Sequence, residues 1–354
     1  MYSSQKLHFI VGIGRSGTTI LTKLLNNHSD IHCLPEANFL VFFLDKFKGK
    51  TTFTNDEINN LFEQIKLFSL SNPWVGWEFD INHTQQLVIN WVKENNDVNY
   101  ENLCKIIYQN FKVIGIPKEN AKILLDKNPS FTLFVDRISN TFRDAKFIFI
   151  IRDYRANILS RKQSIYLESA NVAYNAYRWK LFNKKVVRFQ KNNKDKIFTI
   201  RYEDLVKNPD EELKKICRFL NVNDAYMLTL GNEQYKNVSE KIAAYEKHKH
   251  RFEKKYADLS KSINQDRLDS WKTELSTKEI EICDAICGNF SNKFGYATAT
   301  KLTTFKKLII QVPQIMYCLK AYISVYKEFI IFKISIPIKL NRLRKVYKKL
   351  GFTE

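Results

Sequence analysis

Phe9-Ile10-Val11-Gly12-Ile13-Gly14-Arg15-Ser16-Gly17-Thr18-Thr19 restricts this chain's fold more than any other stretch. An apolar run, a glycine-rich turn and a helical apolar period at Ile20, Leu21, Leu24 and Leu25 follow without a gap. That order reads strand, tight turn, helix start. Gly12, Gly14 and Gly17 let the backbone approach an anion closely. The helix start adds unpaired N–H groups and about half a positive charge. Arg15 supplies a forked cation that matches phosphate or sulfate oxygens. Gly12 and Gly17 have the spacing of a phosphate-binding loop, and Thr19 holds its Ser/Thr position. The lysine that NTPases place on the β- and γ-phosphates is missing, and Thr18 stands there instead.

The rest of the chain alternates in the same way. Lys122–Asp126, Ala145–Ile151 and Ile197–Ile200 read as buried strands, as do Lys6–Val11 and Ile31–Leu34. Helical periods follow the Arg152-Asp153 strand end, fill Val172–Gln190, and open at Pro209 with acids in the first turn. The predicted fold class is α/β: a P-loop-like three-layer domain over residues 1–300, with a central parallel sheet covered on both faces. Residues 39–116 read as a mainly helical insertion without a convincing strand. Ligands of such sheets sit beyond the carboxyl ends of the strands. The glycine loop, Pro35-Glu36, Lys127 and Arg152 all fall there.

Charge points to an anionic partner. Lys and Arg number 57 against 37 Asp and Glu, a formal +20. Residues 301–354 carry twelve of these cations and two acids, Glu328 and Glu354, which is half of the net charge. Phe305, Leu308, Val312, Met316, Leu319, Ile323, Tyr326 and Ile330 recur there at helical spacing, with Pro313 and Pro337 expected to kink or break the helix. This C-terminal basic helical extension either lies on an anionic membrane surface or packs on the domain with its lysines in solvent. Six cysteines without a CxxC pair read as reduced thiols, with no metal site expected. The polar start lacks a signal peptide, and no window offers eighteen uncharged apolar residues. The expected location is cytoplasmic, with peripheral attachment to the inner membrane face as an open alternative.

Taken together, these motifs resemble the sulfotransferase family. The stretch Gly12 to Thr19 resembles its 5′-phosphosulfate loop. Phe147 to Asp153, continuing to Ser160, resembles its 3′-phosphate element, with Arg152 and Ser160 at the family spacing. Arg201-Tyr202-Glu203-Asp204-Leu205, Trp271-Lys272 with Leu275-Ser276, and Phe294-Gly295-Tyr296 are similar to later family segments in the right order. The resemblance covers about Lys6 to Ala297. The strand end Lys127-Asn128-Pro129 lacks the histidine of the cytosolic small-molecule members. The run from Arg15 to Glu36 is similar to the tyrosylprotein and carbohydrate members, which use a glutamate.

The resemblance implies a donor, 3′-phosphoadenosine 5′-phosphosulfate (PAPS), with the bisphosphate PAP as product and no metal. It implies that Gly14, Arg15, Ser16, Gly17, Thr18 and Thr19 hold the 5′-phosphate side. Arg152 and Ser160 would hold the 3′-phosphate, Tyr202 would contact the adenosine, and Lys261 would lie on a donor phosphate. Glu36 would be the general base, with Lys127 and Arg15 stabilising charge on the transferred group. The expected acceptor is a hydroxyl of a carbohydrate or glycolipid, with Trp74 and Trp77 as a stacking surface or as core residues. Two other classes remain open: a P-loop-type kinase or NTPase, and a non-catalytic anion- or nucleic-acid-binding protein. The missing lysine weighs against the first. Against the second, the basic residues concentrate in the tail, so no nucleic-acid partner is expected.

Overall fold

Apart from His8, Leu7 to Val11 is apolar on both faces, so both faces of that strand need cover. In the computed structural model it becomes the central strand of a five-stranded sheet. The described residues are 5–34, 36–71, 77–78, 80–96, 98–113, 118, 120–164, 169–224, 265, 267–334 and 336–349. The strands are β1 (Lys6–Val11), β2 (Ile31–Leu34), β3 (Trp77–Glu78), β4 (Lys112–Val113), β5 (Ile123–Lys127), β6 (Phe147–Ile151) and β7 (Ile197–Arg201). The large sheet has the order β2-β5-β1-β6-β7, and every neighbouring pair is parallel.

Alternate residues of the strands feed two cores. Phe9, Val11, Phe147, Phe149 and Ile151 enter the larger one, and Ile10, Ile148, Ile150, Ile123 and Leu125 the smaller. Helices α1 (Thr18–Leu25) and α10 (Pro209–Leu220) close the smaller core through Leu21, Leu24, Leu213 and Ile216. On the other face α8 (Val172–Asn192) brings Trp179, Phe182, Val186 and Phe189 against β6 and its neighbours. The result is the expected three-layer α/β arrangement with a parallel sheet.

The insertion contains α2 (Phe39–Phe47), α3 (Asn55–Ser71), α4 (Ile81–Glu94) and α5 (Tyr100–Gln109). One difference from the sequence expectation is the antiparallel pair β3–β4, which joins Trp77 to Val113 and Glu78 to Lys112. Two residues per strand are too few to leave a period of two in the sequence. The remaining elements are α6 (Val135–Thr141), α7 (Tyr154–Lys162), α9 (Tyr202–Lys207), α11 (Trp271–Glu274), α12 (Thr277–Ser291), α13 (Thr304–Gln311), α14 (Ile315–Lys333) and α15 (Ile336–Lys349).

Pro313 sits in the single 3-10 turn that separates α13 from α14, and Pro337 lies in the first turn of α15. No window of eighteen residues in the C-terminal helices is free of charge, as the sequence predicts. Thr304–Ile331 is long and apolar enough to cross a membrane by length and composition. Lys306, Lys307, Lys320 and Lys327 interrupt the run, but Leu308 to Val325 carries only one charge, Lys320. All six cysteines are unpaired, and burial pushes the Cys33 thiol up to about 12.

The central strand also carries a buried histidine. His8 is 1% exposed, and its Nδ1 accepts a hydrogen bond from the Lys146 N–H at 3.1 Å. Burial lowers its pKa from 6.5 to about 4; the Leu7 carbonyl opposes this, and the charges of Lys146, Lys6 and Lys105 assist it. The folded value is depressed, so the neutral ring favours folding fully above about pH 6.5. That contribution is lost as pH falls towards about 4, and the shift is worth about 3 kcal/mol. Urea unfolding of wild type and His8→Gln at pH 7.5 and pH 4.5 isolates it from the other titrating groups. Relative to the variant, the wild type is expected to lose about 2–3 kcal/mol at the lower pH. A difference that does not change with pH would refute the assignment.

Candidate active site

β1 and β6 are neighbours whose connections leave in opposite directions, to β2 and to β7. A crevice opens at the carboxyl ends of such a pair. The glycine loop lies at this point. Gly12 has φ +149°, Gly17 has φ +94°, and Arg15 is a non-glycine residue in the left-handed region at +72°. A Cβ on Gly12 would stand 2.3 Å from the Ile150 carbonyl oxygen, and one on Gly17 2.3 Å from the Tyr202 ring. Both positions therefore exclude any larger residue. Gly17 is also the N-cap of α1 and brings no side-chain cap. The first N–H groups of that helix are thus left to an anion held by the loop.

Two fully buried side chains hold the loop, and sequence reasoning singled out neither. The Gly12 N–H donates to Thr132 Oγ1 at 2.8 Å. Asn157 Nδ2 donates to the Gly14 carbonyl and to Ser16 Oγ, both at 3.1 Å. Asn157 lies three residues before Ser160 on α7, so the shared face of that helix was the available signal. Thr132 follows Lys127 by five residues, in the short 3-10 helix Pro129–Phe134, and left no signal.

On the β6–β7 side, four predicted residues meet. Arg15 Nε donates to Ser160 Oγ at 3.0 Å. Arg152 Nη1 donates to the Arg15 carbonyl at 3.4 Å and Nη2 to the Arg267 carbonyl at 2.9 Å. The Arg152 guanidinium lies 4.5 Å above the Tyr202 ring. Arg152 is 8% exposed, and its buried Nε has no hydrogen-bond partner. Burial lowers its pKa, while Tyr202, Glu203 and Asp153 oppose the shift, and an arginine remains a cation. The strand end is braced from behind. Trp179 Nε1 donates to the Arg152 carbonyl, and Glu203 accepts from the Asp153 N–H at 2.9 Å and the Tyr296 hydroxyl at 2.6 Å.

On the β2–β5 side, Lys127 and Glu36 form an ion pair, Nζ to Oε1, at 2.5 Å. The lysine side chain is 8% exposed and the carboxylate 39%, so solvent reaches the pair from the glutamate. Asp126 does not take the lysine. It is fully buried, accepts the Tyr108 hydroxyl, and burial raises its pKa well above the usual carboxylate range. Asn128 Nδ2 donates to Asn38 Oδ1 at 2.7 Å, tying the end of β5 to the start of α2. Lys127 is in register with Ile10 of β1, so this pair and the loop leave adjacent strands.

The predicted residues thus form two groups on either side of the loop. Arg15, Arg152, Ser160 and Tyr202 stand together on one side, and Glu36 and Lys127 on the other. Ser16 is buried in the loop, and the buried Thr18 opens α1 with Thr19 next to it. Lys261 and Trp74 lie outside the described residues. Two anion-matched positions, a ring face at Tyr202 and a buried guanidinium Nε without a partner fit a nucleotide with phosphates at both ends of its ribose.

Residues 8–225 match the model of the sulfotransferase family. A Caenorhabditis briggsae protein named "Putative protein-tyrosine sulfotransferase" is 25% identical over 307 residues, covering 84% of this chain and 91% of its own length. The Drosophila melanogaster protein-tyrosine sulfotransferase is 25% identical over 280 residues, 76% of this chain; the chain spans 47% of that protein. Nodulation protein NoeE of Sinorhizobium fredii is 22% identical over 313 residues, covering 81% of this chain and 65% of its own length. Among solved structures, the sulfotransferase domain from the curacin biosynthetic pathway is 20% identical, with a TM-score of 0.49, over 82% of this chain and 98% of that domain. The family match takes in the glycine loop, the Glu36–Lys127 pair and the Arg152–Ser160 element, and the chain belongs to the sulfotransferase family.

Proposed function

We propose that this chain transfers a sulfuryl group from PAPS to an acceptor hydroxyl, with Glu36 as the general base. The Glu36–Lys127 ion pair beside the glycine loop is the observation that carries this reading. Glu36 takes the proton of the acceptor hydroxyl as its oxygen forms the new S–O bond. The old S–O bond to the 5′-phosphate breaks, and the bisphosphate leaves. Lys127 faces the charge that gathers on the bridging oxygen, and the N–H groups of the loop face the 5′-phosphate. Arg152 and Ser160 hold the 3′-phosphate, which ATP lacks, and so select the donor. Arg15, bonded to Ser160, acts from that side.

The acceptor we propose is a carbohydrate or glycolipid hydroxyl. Support comes from the C-terminal helices, which pack on the insertion that follows Glu36 and carry an apolar, basic outer face. Lys339 Nζ donates to the Phe42 carbonyl of α2, and Arg344 pairs with Glu63 of α3. A second reading, a tyrosine hydroxyl, is favoured by the names of the animal relatives. Labelled donor with a panel of glycans, glycolipids and tyrosine peptides separates the two by which product carries the label.

Thermal unfolding with PAP or with ATP·Mg²⁺ tests the donor. A hundredfold excess of PAP over its Kd is expected to add about 2.7 kcal/mol of stability, with little from ATP. The reverse order would replace the reading with a kinase or NTPase.

A further inference from the structure

Among the described residues the exposed large hydrophobic side chains lie between Phe305 and Ile338, most of them on α13 and α14. Met316, Leu319, Ile323, Tyr326 and Ile330 recur at spacings of three and four and are 64%, 49%, 49%, 55% and 42% exposed. A soluble chain rarely leaves such a stripe without a partner. The opposite face of α14 is taken. Ala321 and Val325 are buried, and the Phe329 ring lies 5.2 Å from that of Phe134. Arg178 of α8 donates to Ser324 Oγ at 2.7 Å and pairs with Glu328 at 2.8 Å. The helix is therefore held lengthwise along the domain, with its apolar stripe outward.

The charge pattern names the occupant. Glu328 is the only acid between Thr304 and Lys333, and Arg178 draws it inward. Lys320 and Lys327 each follow a stripe residue, Leu319 and Tyr326, and are exposed on one flank of it. A second copy of this chain would bring lysine against lysine on a molecule that already carries +20. An anionic bilayer instead accepts the apolar residues at the headgroup boundary and attracts the flanking lysines. We propose that α13 and α14 dock the protein peripherally on an anionic lipid surface, lying in the plane of the membrane. This surface is separate from the transfer site, and the inference stands without the proposed reaction.

Flotation of the full chain with phosphatidylcholine vesicles, with and without 30 mol% phosphatidylserine, tests it. The protein is expected to float with the anionic vesicles, to stay in solution with the neutral ones, and to be released by 0.5 M NaCl. Lys320→Ala with Lys327→Ala should lower the partition coefficient roughly thirtyfold. Leu319→Glu with Ile323→Glu should abolish flotation. Thermal unfolding without ligand serves as the folding control for both variants. Three results would overturn the proposal: no flotation by a folded wild type, retention after alkaline carbonate extraction, or a dimer in light scattering that the glutamate variants dissolve. The second would mean a spanning helix, and the third a second copy on this face.

Discussion

Glu36→Gln is expected to retain PAP binding and to lose about 10²- to 10⁴-fold in kcat, the range for removing a positioned general base. The substitution keeps the size of the side chain and an oxygen that can accept from Lys127. The lysine, 8% exposed, therefore stays hydrogen-bonded, and the fold is not asked to bury an unpartnered cation. Folding and donor binding are read by the thermal shift with PAP, and turnover by label transfer. A variant with wild-type kcat would remove Glu36 as the base. Loss of both binding and turnover would assign the pair to holding the site together instead.

Arg152→Ala should act on the other half of the site. The guanidinium lies over Tyr202, bridges to the Arg15 carbonyl and carries a buried Nε without a partner. A charge-assisted hydrogen bond to a phosphate is worth about 1.5–3 kcal/mol. PAP affinity is thus expected to fall by roughly 10- to 150-fold. Adenosine 5′-phosphate, which has no 3′-phosphate, should bind wild type and variant alike. Calorimetry with the two ligands separates these cases. Equal losses for both would show that Arg152 supports the loop rather than reading the 3′-phosphate. Arg152→Lys is not expected to rescue fully, because a point charge cannot reproduce the fork that reaches two partners.

Much of the site was legible because its residues sit where local patterns change. Gly12 and Gly17 end an apolar run and open a helix. Glu36, Lys127 and Arg152 each stand at or just past the end of a short strand-like stretch. Such signals need a few consecutive residues, and the sequence holds them intact. Partners were not legible in the same way. Lys127 had two acids within reach of a guess, Asp126 and Glu36. Burial decided between them, since Asp126 turns into the core towards Tyr108 and Glu36 faces the solvent side of the cleft.

By itself the sequence determined the types of the longer elements, the parallel α/β class and the tight glycine turn between strand and helix, because strand and helix periods and the φ needs of glycine are local. Tertiary structure alone decided the strand order β2-β5-β1-β6-β7 and the support of Gly12 by Thr132, 120 residues away. It also decided that Arg15 turns to Ser160, and that α14 packs on α8 with its stripe outward. Each of these is a pairing of distant segments, fixed by which buried faces and hydrogen-bonding groups can be satisfied together. No short window of residues contains that information.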